Sequence, residues 1–303
     1  MPENSKWEGK TRGGLSGHKI FVFILNTFGL RSAYFLLRFV AFYFLLFAKS
    51  TKTSLKYFRE IHGYGRFKSW RAAYRNYFIF GQILLDRVAL LSGVKTNFTI
   101  EHEGQAENLR SLKNKGKGSI LLSAHIGNWE IAGQMLEVLD QKFNILMYDN
   151  EAEKMKAYLD GVMGKKSYNI IAIRDADMSH LVELHSAFSN NEMVVMHGDR
   201  YLPGTPTIEK TFMGKKAKFP VGPFLMAVKF GVPIVLVFAL KETRSHYHFF
   251  ALPPIEVKRA RSKEQLEKAI SEVSDKYVEA VENMVKKYPD QWFNFYDFWA
   301  SES

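Results

Sequence analysis

Two hydrophobic patterns divide the chain near residue 96. Before it, apolar residues come in long runs. Ile20 to Ala48 is almost uninterrupted, broken by Asn26, Arg31 and Arg38, and Trp70 to Leu91 carries Ala73, Tyr77, Phe80, Leu84 and Val88 at helical spacing, with Gly93 after it. Beyond residue 96, short β-rich runs alternate with helical segments, which predicts an α/β fold: a central, mostly parallel or mixed sheet flanked by helices. Strands are expected at Phe98 to Glu103, Ser119 to Ala124, Asn144 to Tyr148, Ile170 to Ile173, Met193 to His197, Ile234 to Ala239 and His246 to Ala251. Helices are expected at Trp129 to Leu139, Glu151 to Gly164, Asp177 to Ser189 and Val221 to Phe230, with a long amphipathic one from Glu264 to Lys287, stopped by Tyr288-Pro289. The tail, DQWFNFYDFW, is too aromatic to remain solvated and should pack back on the body. The expected organisation is residues 1–96 as a helical region and 97–303 as the α/β body, with no linker to separate them.

Charge sharpens the division. Residues 1–96 hold 16 Lys and Arg against four acids, a balance of +12 within a total of +11. A basic excess interleaved with Phe, Tyr and Leu suits an anionic bilayer surface. Nucleic acid is not expected, because the basic residues flank long apolar runs and no nucleic-acid-binding motif is present. The first 18 residues are polar and Gly-rich, with nothing that reads as a cleavable signal. Spanning by Ile20 to Ala48 would place Arg31 and Arg38 in hydrocarbon, at roughly 2.5–3.5 kcal/mol for each central Arg. One or two helices lying in the interface, with both arginines snorkelling to headgroups, is the preferred reading. The alternative is a buried hairpin. The chain has 25 Phe and no Cys, so disulfides, thiolate zinc sites and a cysteine nucleophile are excluded.

The chemistry is concentrated in SILLSAHIGNWEIAGQML. An apolar run ends at Ala124, and His125, Ile126, Gly127 and Asn128 lead into a helix near Trp129. On one continuous helix His125 and Glu130 would lie about 140° apart and could not meet. They can meet across a turn, which Gly127 permits and Asn128 caps. An imidazole held by a carboxylate at the end of a strand is a general base, needing no serine or cysteine. The competing reading is a core histidine with a capping glutamate.

HIGNWE resembles the HxxxxD/E motif of the lysophospholipid acyltransferase superfamily, and the chain is similar in particular to the lipid A biosynthesis lauroyl/myristoyl acyltransferases. VVMHGDRYLPG, TFMGKKAKFPVGPFLMAVKFGVPIVLV and PDQWFNFYDFW extend the likeness over roughly Ser119 to Trp299. The resemblance implies a monotopic or singly anchored enzyme on the cytoplasmic face of a bacterial inner membrane. It would take an acyl chain from acyl carrier protein, or CoA, as a thioester co-substrate and pass it to a membrane lipid. That acceptor would be a lipid A precursor; another glycolipid, an aminolipid or a phosphatidylinositol mannoside-like lipid is the alternative. No bound cofactor is implied. His125 and Glu130 carry over as the catalytic dyad. Arg174, Asp199, Arg200 and Asn128 carry over as oxyanion or substrate contacts, Asp199-Arg200 standing where many lipid A enzymes have Asp-Gln or Asp-His. Lys215, Lys216 and Lys218, read as a loop, could hold lipid phosphates or an acidic carrier protein, and Phe219 to Gly222 would shape an acyl channel. His197 is a tempting second base but reads as structural. No metal-ligand spacing such as HExxH occurs. A rival of another class is a non-catalytic lipid-binding protein that keeps the fold.

Overall fold

A computed structural model describes residues 15–91, 94, 96–101, 105–113, 118–129, 131, 142–148, 168–173 and 179–299. Two compact units emerge: residues 1–97 with 288–303, and residues 98–287. The tail therefore belongs with the N-terminal helices and not, as expected, with the α/β body.

The first unit holds α1 (Leu15–Phe47), α2 (Ser50–Lys56) and α3 (Arg66–Leu91). α1 is interrupted at Gly29, whose φ of 76° and ψ of 176° leave the helical region. Leu25, Ala33, Tyr34 and Leu37 of α1 pack on Leu85 and Ala89 of α3. Gly81 lets the helices approach, since a Cβ there would sit 2.4 Å from a Leu37 methyl. The inward face of α3 differs from the expected stripe: Leu84 is exposed, whereas Asn76, Gln82 and Asp86 are buried. Asn76 and Asp86 are inward because each has a hydrogen-bond partner there. Tyr34 donates to the Asp86 carboxylate, and Asn76 Nδ2 donates to the carbonyls of Asp290 and Trp292, both at 3.1 Å. The aromatic tail closes over this face through Arg75–Asp290 at 2.7 Å and a stacked Tyr77–Phe295 pair.

The second unit is built on a seven-stranded sheet: β1 (Thr99–Glu101), β2 (Ser119–Ser123), β3 (Phe143–Tyr148), β4 (Tyr168–Ile173), β5 (Met193–His197), β8 (Ile234–Lys241) and β9 (His246–Ala251). Its order is β1-β9-β8-β2-β5-β3-β4. Strands β8, β2, β5, β3 and β4 are mutually parallel, β9 is antiparallel to β8, and β1 is parallel to β9. β2 and β8 are buried along their whole length, as expected of parallel strands covered on both faces. The helices here are α4 (Gln105–Lys113), α5 (Ser179–Ser189), α6 (Gly222–Phe230) and α7 (Lys263–Lys287). Trp129 and Ile131 are helical, and the rest of the two helices expected at 129–139 and 151–164 lies outside the described residues.

A two-stranded ribbon, β6 (Thr207–Phe212) and β7 (Lys215–Pro220), was not foreseen. Its turn residues Met213 and Gly214 have φ of 53° and 78°, and positive φ at both central positions suits a tight hairpin. The Met213 amide donates to Glu282 Oε2 at 2.6 Å, which holds the unusual backbone. The reading of Lys215, Lys216 and Lys218 as a loop is corrected: they lie on β7, and Lys216 pairs with Glu209 across the ribbon at 2.8 Å. Phe219 is fully buried against Phe212 and Tyr277, an aromatic core position.

Candidate functional site

β2 and β5 are parallel neighbours in a register that pairs Ser123 with His197. Their carboxyl ends therefore emerge side by side, where ligands bind in open α/β sheets. The two residues that follow each strand bring His125 beside Asp199. His125 Nδ1 is 2.7 Å from Asp199 Oδ1, and the His125 backbone N–H donates to Asp199 Oδ2 at 2.9 Å. One carboxylate thus grips both the ring and the main chain of the histidine. Asp199 is 2% exposed and the His125 side chain 31%, so the pair is buried at the acid and open at the base.

Burial alone would raise the Asp199 carboxyl, but the charge and hydrogen bond of His125, with Arg200 and His197 beyond, outweigh it and hold the acid well below the ordinary carboxylate range. Asp199 is therefore an anion throughout the working pH range and accepts from the ring Nδ1–H, which leaves Nε2 as the basic nitrogen. His197, set aside on sequence, belongs here: its ring lies 4.4 Å from that of His125 and 5.7 Å from Trp129, measured between centroids. Burial, then the His125 charge, push it down to about 3, so it forms a neutral wall and not a second base.

The loop owes its path to Gly127. With φ of 68°, it runs so close to β8 that a Cβ would fall 2.1 Å from the Ala239 carbonyl oxygen, and Asn128 N–H donates to that same oxygen at 2.7 Å. Asn128 is buried; its Oδ1 accepts from Ile131 N–H at 3.3 Å, and its Nδ2 lies 3.3 Å from Tyr247 Oη. It caps the helix, as its sequence position suggested, and both ends of its amide are engaged within the protein. Gly127→Ala should lose about 1–2 kcal/mol from the left-handed backbone alone, with further loss from the overlap. The expected result is a lowered Tm and lost activity, measured by thermal unfolding beside a turnover assay.

The structure thus joins His125, Asp199 and Arg200, with Asn128 in support, and assigns Lys216 to a surface pair. Glu130 and Arg174 lie outside the described residues. The carboxylate expected at the imidazole was that of Glu130; the one observed at Nδ1 is that of Asp199, expected only as a substrate or oxyanion contact.

Over residues 17–301, nearly the whole chain, the sequence matches the bacterial lipid A biosynthesis acyltransferase family. The chain belongs to that family. As a lipid A biosynthesis acyltransferase family member it has distant relatives among phosphatidylinositol mannoside acyltransferases from two strains of Mycobacterium tuberculosis, 24% identical over 132 residues. Those matches span 44% of this chain and 42% of the relatives' length. Among solved structures, the 1-acyl-sn-glycerophosphate acyltransferase PlsC of Thermotoga maritima aligns with a TM-score of 0.36 and 19% identity, over 84% of this chain and 98% of that one.

Proposed function

We propose that the protein transfers a fatty acyl group from a thioester to a hydroxyl or amine of a membrane lipid, with His125 as general base oriented by Asp199. The observation that carries this is the 2.7 Å contact between His125 Nδ1 and a buried, ionised Asp199, which leaves Nε2 outside that contact on a partly exposed side chain. The acceptor's proton passes to Nε2 as its oxygen or nitrogen attacks the thioester carbonyl. The carbon–sulfur bond then breaks, and the imidazolium returns the proton to the departing thiolate. Asp199 stabilises the imidazolium between these steps. Arg174 remains the proposed oxyanion contact, and Glu130, the carboxylate of HIGNWE, a proposed second acid supporting His125.

Acyl carrier protein is the proposed donor, with CoA the alternative, and a lipid A precursor the proposed acceptor. The mannoside-acylating relatives support a glycolipid acceptor as the second reading. The test is the purified protein given labelled acyl-carrier-protein or acyl-CoA thioester with lipid A precursor, phosphatidylinositol mannoside or aminolipid vesicles. A labelled lipid of one class identifies the acceptor, whereas tight lipid binding without transfer to any of them would make this a lipid-binding protein.

The proposed location is the cytoplasmic face of a bacterial inner membrane. Ile20–Phe47 is long and apolar enough to cross a membrane, and only 22% of its most apolar window is buried. Phe28, Phe35, Phe39, Phe42 and Leu46 recur at heptad-like spacing and are each more than half exposed. An aromatic stripe of this kind on a helix kinked at Gly29 suits an interfacial position. Replacing Phe35, Phe39 and Phe42 by Ser should reduce cosedimentation with anionic vesicles at least tenfold, and the remaining binding should fall with salt. Binding unchanged by both would remove α1 as the anchor.

A further inference from the structure

Strands β1, β9 and the end of β8 bring together a second cluster of ionisable groups. The parallel register pairs Thr99 with His246 and Glu101 with His248. The Glu242 amide, one residue beyond β8, donates to the His246 carbonyl at 3.0 Å. Side chains alternate between the faces of a sheet, and here two imidazoles and two carboxylates converge on one face. Their donor atoms stand at 3.3 Å (His246 Nε2 to Glu101 Oε2), 3.5 Å (His248 Nδ1 to Glu242 Oε1), 3.7 Å (His248 Nδ1 to Glu101 Oε2) and 3.9 Å (His246 Nε2 to Glu242 Oε2). One ligand atom each from Glu101, Glu242 and His248 lies within 4.8 Å of the others.

The separations identify what fits between them. His246 Nε2 and Glu101 Oε2 are within hydrogen-bonding reach at 3.3 Å, and the separations from His248 exceed the roughly 2.7–3.2 Å of an ordinary N–H···O hydrogen bond. Nitrogen and oxygen ligands at about 2.0–2.2 Å from a tetrahedral ion would stand on the order of 3.3–3.6 Å apart, close to the 3.5 and 3.7 Å between His248 Nδ1 and the two carboxylates. The supporting contacts have the same character. Thr99 Oγ1 lies 2.8 Å from His246 Nδ1, so that Nδ1–H can donate to it and turn the Nε2 lone pair towards the carboxylates. Phe250 stacks on the His248 ring at 4.0 Å and 2°, fixing its plane. The four side chains are 21–43% exposed, so an ion can enter from solvent.

We propose that Glu101, Glu242 and His248, with His246 as a neighbouring donor, form a binding site for a divalent transition-metal ion, zinc by donor type, that fastens the edge strand β1 to β9 and β8. β1 is three residues long and pairs only with β9 among the described strands. An ion held by one of its side chains and by Glu242 and His248 from its neighbours would secure it. No metal site was expected from the sequence, and the proposal departs from that expectation: the groups come from β1, β9 and the residue after β8, and only the register of the strands assembles them.

The experiment is zinc uptake by the chelator-treated full chain, measured by elemental analysis and titration, with a cobalt(II) spectrum as a report of geometry. One ion per chain, a tetrahedral cobalt spectrum and a zinc-dependent rise in Tm are expected. Glu101→Gln with His248→Gln should weaken uptake about 100-fold or more, and Thr99→Val about tenfold, while His125→Ala should bind as the wild type does. Absence of stoichiometric uptake by the wild type, uptake unchanged in the Glu101 and His248 variant, or uptake lost in His125→Ala would each overturn the proposal. Should the paired variant fail to fold, hydrogen exchange of the wild type decides: zinc should slow exchange at residues 99–101, and no slowing there refutes the site.

Discussion

His125→Ala is expected to lower kcat by about 10²–10⁴-fold, the usual contribution of a positioned general base, with the fold preserved. The side chain is partly exposed, and Asp199, its charged partner among the described residues, keeps the His125 main-chain amide as a donor. KM for the thioester should change little, because the imidazole acts in the transition state and not in holding the substrate. The measurement is labelled-lipid formation under saturating donor, beside thermal unfolding. Wild-type turnover in this variant would remove His125 from the chemistry.

Asp199→Asn is expected to be nearly as severe, about 10²–10³-fold in kcat, though Asp199 need not touch the substrate. A carboxylate accepts from the ring Nδ1–H and stabilises the imidazolium, whereas an amide can present its NH₂ instead and favour the other tautomer. Stability should also shift with pH. The native state depresses the Asp199 pKa, so its contribution is present above the unfolded carboxylate value of about 3.9 and is lost as pH falls below it. The asparagine variant should therefore show a shallower loss of stability in acid. In the wild type, Asp199 stays ionised and His197 stays neutral down to about pH 3. Neither group should therefore contribute to the acid limb of kcat/KM between pH 5 and 8. An acid limb there that changes on replacing His197 by Gln would mean that His197 titrates in that range. Because an imidazole that uses Nε2 has only Nδ1 left for a carboxylate, and Asp199 occupies it, Glu130→Gln should cost less than Asp199→Asn.

Elements with a strong period were legible in the sequence. β2, β5, β8 and β9 lie within a residue or two of their expected limits, as do α6 and α7, because long buried runs and amphipathic stripes have few competing readings. The β6–β7 ribbon was hidden because KTFMGKKAK carries a lysine-rich surface and a Met-Gly turn, stabilised from outside by Glu282. At the site, the histidine, its glycine turn and its asparagine cap could be read locally. The carboxylate at its ring could not: His125 and Asp199 are 74 residues apart and meet because β2 and β5 are neighbours, a fact of strand order that no local spacing contains. The tail was misplaced for a similar reason. Its partners on α3 include the polar Asn76 and Arg75, which an apolar count passes over.

Whether His125 and Asp199 act as one device is decided most directly by a double-mutant cycle on acyl transfer, with kcat measured for His125→Ala, Asp199→Asn and the two combined. Once the base is gone, the orienting carboxylate has nothing left to orient. The double variant should therefore be no slower than His125→Ala alone. If the two losses multiply, the residues contribute independently and the paired mechanism is wrong.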